Sequence, residues 1–77
     1  MPSELVKPVP QFPEGERAVL SAMLLDSTAA LRAMDELSPD DFFREVHRII
    51  FRAMISIHTK RQPIDWLTLT RELQESG

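Results

Sequence analysis

Residues 38–51, S38-P-D-D-F-F-R-E-V-H-R-I-I-F51, bring two carboxylates (Asp40, Asp41), a histidine (His47) and two arginines into fourteen residues. One reading is a catalytic cluster, the other a capped helix start followed by a packed helix. Ser38 before Pro39 has the form of an N-cap with proline at the first helical position, where a missing donor costs nothing. Asp41, three residues after Ser38, stands where a capping box places its acid. Asp40 and Asp41 therefore read as first-turn acids, and general acid–base work would require a partner and a perturbed environment that nothing nearby supplies.

Downstream, the spacing predicts a helix over about 45–60. Val46, Ile49, Ile50, Ala53, Met54 and Ile57 recur at the offsets of one face, and His47, Phe51, Ile55 and His58 form a second stripe beside it. A histidine set among Phe and Ile is expected to be packed and hydrogen-bonded rather than a base. No serine or cysteine nucleophile stands near it, and a chain with two glycines has no glycine-rich loop.

Outward from this segment, residues 1–13 hold four prolines and read as an extended arm. From Glu14 the pattern turns helical, with Glu14 and Glu16 favouring the positive end of the helix dipole. The run A18-V-L-S-A-M-L-L25 is apolar almost all round and is expected to be buried on most sides. Asp26, Ser27 and Thr28 introduce a short helix near 28–36. Pro63 ends the long helix, and Asp65 caps a last one over 66–75, with Trp66, Leu69 and Leu73 on one side. The reading is all-α, a compact orthogonal bundle of about five short helices, with an arm over 1–13 and a helical head over 14–77.

A chain of 77 residues makes one small domain, which buries only about 60% of the surface exposed by its unfolded form. Without cysteine it has neither disulfides nor thiolate metal sites, which leaves oligomerisation or attachment to a larger chain as sources of stability. The start lacks the pattern of a signal peptide, and the longest apolar run is too short to span a bilayer, so a soluble cytoplasmic domain is expected. Residues 1–43 carry three basic and eight acidic side chains; residues 44–77 carry six and four. That asymmetry suggests a charged contact surface without the strongly basic balance of a dedicated nucleic-acid binder.

Arg44, Arg48 and Arg52 follow one another at four-residue spacing, with Lys60 further along the same side. They are candidate phosphate contacts, and the alternatives are a solvated face or a seat for an acidic protein. For protein docking, the candidates on the long helix and the next are Arg48, Arg52, Phe51, Ile55 and Trp66.

Three blocks also resemble the N-terminal domain of the bacterial replicative DNA helicase DnaB family. They are P10-Q-F-P-E-G-E-R-A-V-L-S-A-M-L-L-D26, L37-S-P-D-D-F-F-R-E-V-H-R-I-I-F51 and P63-I-D-W-L-T-L-T-R-E-L73, in the family's order. Ser21-Ala22 stands where the family has a pair of glycines, and the family continues beyond Gly77, so a head truncated on its C-terminal side is expected. The resemblance implies a non-catalytic head that oligomerises with other copies and receives primase or a helicase loader. ATP and Mg would belong to a motor domain outside this chain, which has no phosphate-binding loop, metal or cofactor of its own. DNA would be touched weakly or through the missing domain. The rival expectations are a stand-alone adaptor or inhibitor of a helicase and a small DNA-binding helical module.

Overall fold

The computed structural model describes residues 13–76, and the expected arm over 1–13 lies outside them except for Pro13, which begins the first helix. Four α-helices follow in order: α1, Pro13–Leu25; α2, Ser27–Glu36; α3, Glu45–Thr59; and α4, Trp66–Ser76. A single 3-10 turn, Pro39–Asp41, stands between α2 and α3, and there is no strand among the described residues. The all-helical class and the order of the elements are those the sequence predicts.

Local chemistry sets most boundaries. Asp26 alone separates α1 from α2: its backbone is extended, and its carboxylate accepts the Thr28 N–H at 2.9 Å. Ser38 and Asp41 brace the 3-10 turn, the Ser38 N–H donating to Asp41 Oδ2 at 2.8 Å. That turn does not run on into α3, which starts afresh at Glu45. At the far end of α3 the Gln62 N–H donates to the Ile57 carbonyl and the Arg61 N–H to that of His58. This is a Schellman-type stop with Arg61 in the left-handed region, φ 60°, where glycine is usual. Asp65 and Thr68 then cap α4 reciprocally, each backbone N–H donating to the other's side chain at 3.0 and 2.9 Å. The Thr68 N–H is the chief reason that the Asp65 carboxyl lies below its ordinary range.

α1 packs on α2 and on α3, while α3 carries α4 on another side. The core is built from Leu20 and Met23 of α1, Ala30 of α2, Phe42, then Phe51, Met54 and Ile57 of α3, with Leu69 of α4. Phe42 and Phe51 have ring centroids 5.0 Å apart at 39°.

Three expectations are corrected here. α1 is buried on one face only, along Glu16, Leu20 and Met23, while Ala18, Ser21, Ala22 and Leu25 are exposed. On α3 the buried side is His47, Phe51, Ala53, Met54 and Ile57, while Val46 and Ile49 of the supposed single face are 54% and 44% exposed. The core meets α3 about half-way between its two apolar stripes. Trp66 does not share the buried side of Leu69; it is 67% exposed.

Candidate functional site

Glu16 is the one fully buried carboxylate among the described residues, and it faces the start of α3. Oε2 accepts the Phe43 N–H, Oε1 accepts the Arg44 N–H at 3.4 Å, and Oε1 lies 2.6 Å from His47 Nδ1. Arg44, the residue before α3, makes no side-chain cap of its own, so a carboxylate from another helix serves that end, where the dipole favours negative charge. Burial alone would push the Glu16 carboxyl up; the hydrogen bonds from His47, Phe43 and Arg44 outweigh it and hold the group below its ordinary value.

His47 is thus the packed, hydrogen-bonded histidine that its neighbours suggest. Its partner was not foreseen, because Glu16 reads as an exposed first-turn acid. Asp40 and Asp41 remain in the turn that precedes α3. Among the described residues no group of three or more His, Asp or Glu side chains is placed to hold a metal ion.

The basic ridge divides into residues already engaged and residues that are not. Half-buried Arg48 donates through Nη1 to the carbonyls of Phe42 and Phe43, both at 2.9 Å, pinning the loop that enters α3. Lys60 Nζ lies 2.8 Å from Glu72 Oε1, and Ser56 Oγ donates to the other oxygen of the same carboxylate at 2.8 Å. The Lys60 hydrogen bond, then that of Ser56, holds Glu72 below its ordinary range and fastens α4 to α3. Arg44 and Arg52 are exposed, and their guanidinium groups have no acceptor among the described residues. Replacing Arg48 with alanine is expected to lower stability by about 1.5–3 kcal/mol, the range for bonds to a charged donor. Arg52→Ala should stay within about 0.5 kcal/mol of wild type, as exposed substitutions do. Urea melts of the two variants at neutral pH check the contrast.

Of the docking candidates, Phe51 requires correction: it is 0% exposed and belongs to the core, turned inward against Phe42. Ile55 is half-buried and lines a groove with Leu31, Met34, Asp35 and His58. Trp66 and its neighbour Leu67, 66% exposed, stand outward at the start of α4. Val46 and Ile49, from the first of the two apolar stripes of α3, join them as exposed apolar residues.

A family model described as the DnaB-like helicase N terminal domain matches residues 9–77. The chain is similar to the replicative DNA helicase DnaB of Geobacillus stearothermophilus, 43% identical over 67 residues, which are 87% of this chain and 15% of that protein. It is also similar to the replicative DNA helicase DnaB of Rhodothermus marinus, 41% identical over 68 residues, 88% of this chain and 7% of that protein. A third relative is the replicative DNA helicase DnaC of Bacillus subtilis (strain 168), 42% identical over 64 residues, 83% of this chain and 14% of that protein. The chain therefore spans only 7–15% of the length of these relatives. No solved structure matches it.

Proposed function

Since the chain belongs to the DnaB-like helicase N-terminal domain family, we propose that it is the non-catalytic head of a replicative DNA helicase. In this reading its work is association with other copies and docking of primase or a helicase loader. ATP and Mg act in a motor domain elsewhere in the protein. The observation that carries the docking role is apolar surface left outside a closed core. Val46, Ile49, Trp66 and Leu67 are each 44% exposed or more, although the interior is already filled by Phe42, Phe51, Met54 and Ile57. The two exposed pairs stand towards opposite ends of the α3–α4 pair, and the one with Trp66 is the stronger contact candidate, because tryptophan is enriched among residues that dominate interfaces.

An antibody raised to residues 14–76 tests the assignment in cells. It should detect a species several times the mass of a 77-residue chain that co-purifies with ATP hydrolysis. A species of the chain's own mass would overturn the reading in favour of a stand-alone adaptor. Within the assembled protein, Trp66→Ala should weaken association with other copies or with primase by roughly thirtyfold, the scale of a 2 kcal/mol hot spot. Its circular dichroism should match wild type. Sedimentation velocity over a dilution series reads both the loss and the partner concerned.

A further inference from the structure

α1 and α2 fold back on each other across Asp26, and an apolar groove of about 210 Å³ runs between them. Val19 and Ala22 of α1 line it with Ala29 and Ala33 of α2 and with Leu37, which closes the end away from Asp26. No described residue of α3 or α4 takes part, so its walls are complete within residues 13–37. Arg32 and Glu36 also line it, one turn apart on one side of α2. Both are exposed, and neither has a hydrogen-bond or ion-pair partner among the described residues. α1 begins at Pro13, beside the Leu37 end and about 9 Å before Val19 at 1.5 Å per residue. The twelve residues ahead of it read M1-P-S-E-L-V-K-P-V-P-Q-F12. Proline favours polyproline II geometry, with three residues per turn. At that period Val6, Val9 and Phe12 fall on one edge, and Glu4 and Lys7 on the next.

We propose that this groove is the seat of the chain's own arm, with residues 4–9 folded back along it and residues 10–12 making the reversal before Pro13. Val9 then rests on Val19, Ala33 and Leu37, and Val6 reaches Ala22 and Ala29. One polyproline turn of about 9 Å separates the two valines, close to the 10 Å or so that seven helical residues cover between Ala29 and Glu36. Run in this direction, the arm brings Lys7 to Glu36 and Glu4 to Arg32, so each charge meets its opposite. The reverse direction would set Glu4 on Glu36 and Lys7 on Arg32. The order of charges therefore selects the direction that attachment at Pro13 imposes. Attachment also favours the arm over an outside peptide, because a short tether holds it at an effective concentration on the millimolar scale. Once docked, the arm closes the α1–α2 face to other proteins. Neither the helicase reading nor an added partner is needed for this contact.

The 77-residue chain has no cysteine, so Ser3→Cys accepts a nitroxide spin label at one place only. A docked arm carries the label past Ala22 towards the Asp26 turn, about 18 Å from Pro13 along α1. The amide signals of Ala22 and of residues 26–29 should be lost first. Val9→Asp should restore them, and in the unlabelled chain it should shift the amides of Val19, Ala29 and Ala33. Lys7→Glu should lower the ratio of docked to free arm roughly threefold, the scale of an exposed ion pair, and adding Glu36→Lys should restore it. Circular dichroism of each variant should match wild type. Signal loss centred on the start of α1, signal loss that Val9→Asp leaves in place, or unlabelled amides that Val9→Asp does not move would each overturn the proposal. So would signal loss passed from a spin-labelled chain to an isotope-labelled one, which would assign the groove to the arm of a second copy. A protein that shows the docked arm yet binds neither its own copies nor primase would sink the proposed function and leave this contact standing.

Discussion

Glu16→Ala is expected to lose about 3–5 kcal/mol of stability, because the groups hydrogen-bonded to a buried carboxylate are left unpaired at about 1–3 kcal/mol each. A domain of this length holds roughly 4–12 kcal/mol in all, so the loss takes about a quarter of that stability or more. The size of the effect follows from what the carboxylate serves. Three donors converge on it, from Phe43, Arg44 and His47, and alanine strands all three beside a sealed interior. Glu16→Gln keeps the shape but replaces one acceptor oxygen with a donor, so a smaller loss of about 1–3 kcal/mol is expected. Acidity distinguishes the variants further. The folded-state pKa of Glu16 lies below its ordinary value, so its contribution is fully present above the unfolded value of about 4.3. It is lost as pH falls through the lower, folded value. Urea melts between pH 7 and pH 2.5 should show a segment of acid destabilisation in the wild type that is missing from Glu16→Gln. An identical pH profile for the two proteins would rule out Glu16 as the source.

Phe51→Ala should cost a further class of stability, about 3–5 kcal/mol, by removing a fully buried ring that stacks on Phe42. The two possible roles of Phe51 give opposite results. A docking residue would lose partner binding and keep its melting temperature. A core residue lowers the melting temperature by about 4–8 °C per kcal/mol in a domain of this size, and the expected loss is large enough to leave little folded protein at 37 °C. Ile55→Ala, at a half-buried position in the next turn, is expected to melt much closer to wild type. Thermal melts by circular dichroism, run beside a binding assay for each variant, separate the roles.

Comparing these two residues shows what the sequence could and could not reveal. Helix limits were legible because they are short-range: Asp26, Ser38 with Asp41, and Asp65 with Thr68 bond within three residues of themselves. The rotation of α3 was not legible. Its two apolar stripes lie side by side, and only the arrival of α1 and α4 decides that Phe51 turns inward and Val46 outward. For Glu16 a signal existed: it precedes Leu20 and Met23 by four and seven residues, which places it on the face α1 buries. Reading it as a first-turn acid overlooked that spacing. Its partners stand about thirty residues away, so no local pattern could have named them. The candidate contact surface was partly legible for a similar reason. Charge spacing located the ridge but could not show that Glu72 engages Lys60 or that backbone carbonyls engage Arg48.

The attachment of Glu16 to the start of α3 also bears on the order in which the chain assembles. α1 with α2, and α3 with α4, are neighbours in sequence and can pair early, because closing short loops carries little entropy. The bonds from Glu16 to Phe43, Arg44 and His47 span 27 to 31 residues and join one pair to the other. Such a contact belongs late in folding, with a φ-value near zero, and its loss should appear in the unfolding limb of a chevron rather than the folding limb. A single carboxylate would then govern how long the folded head persists and leave almost unchanged how fast it forms.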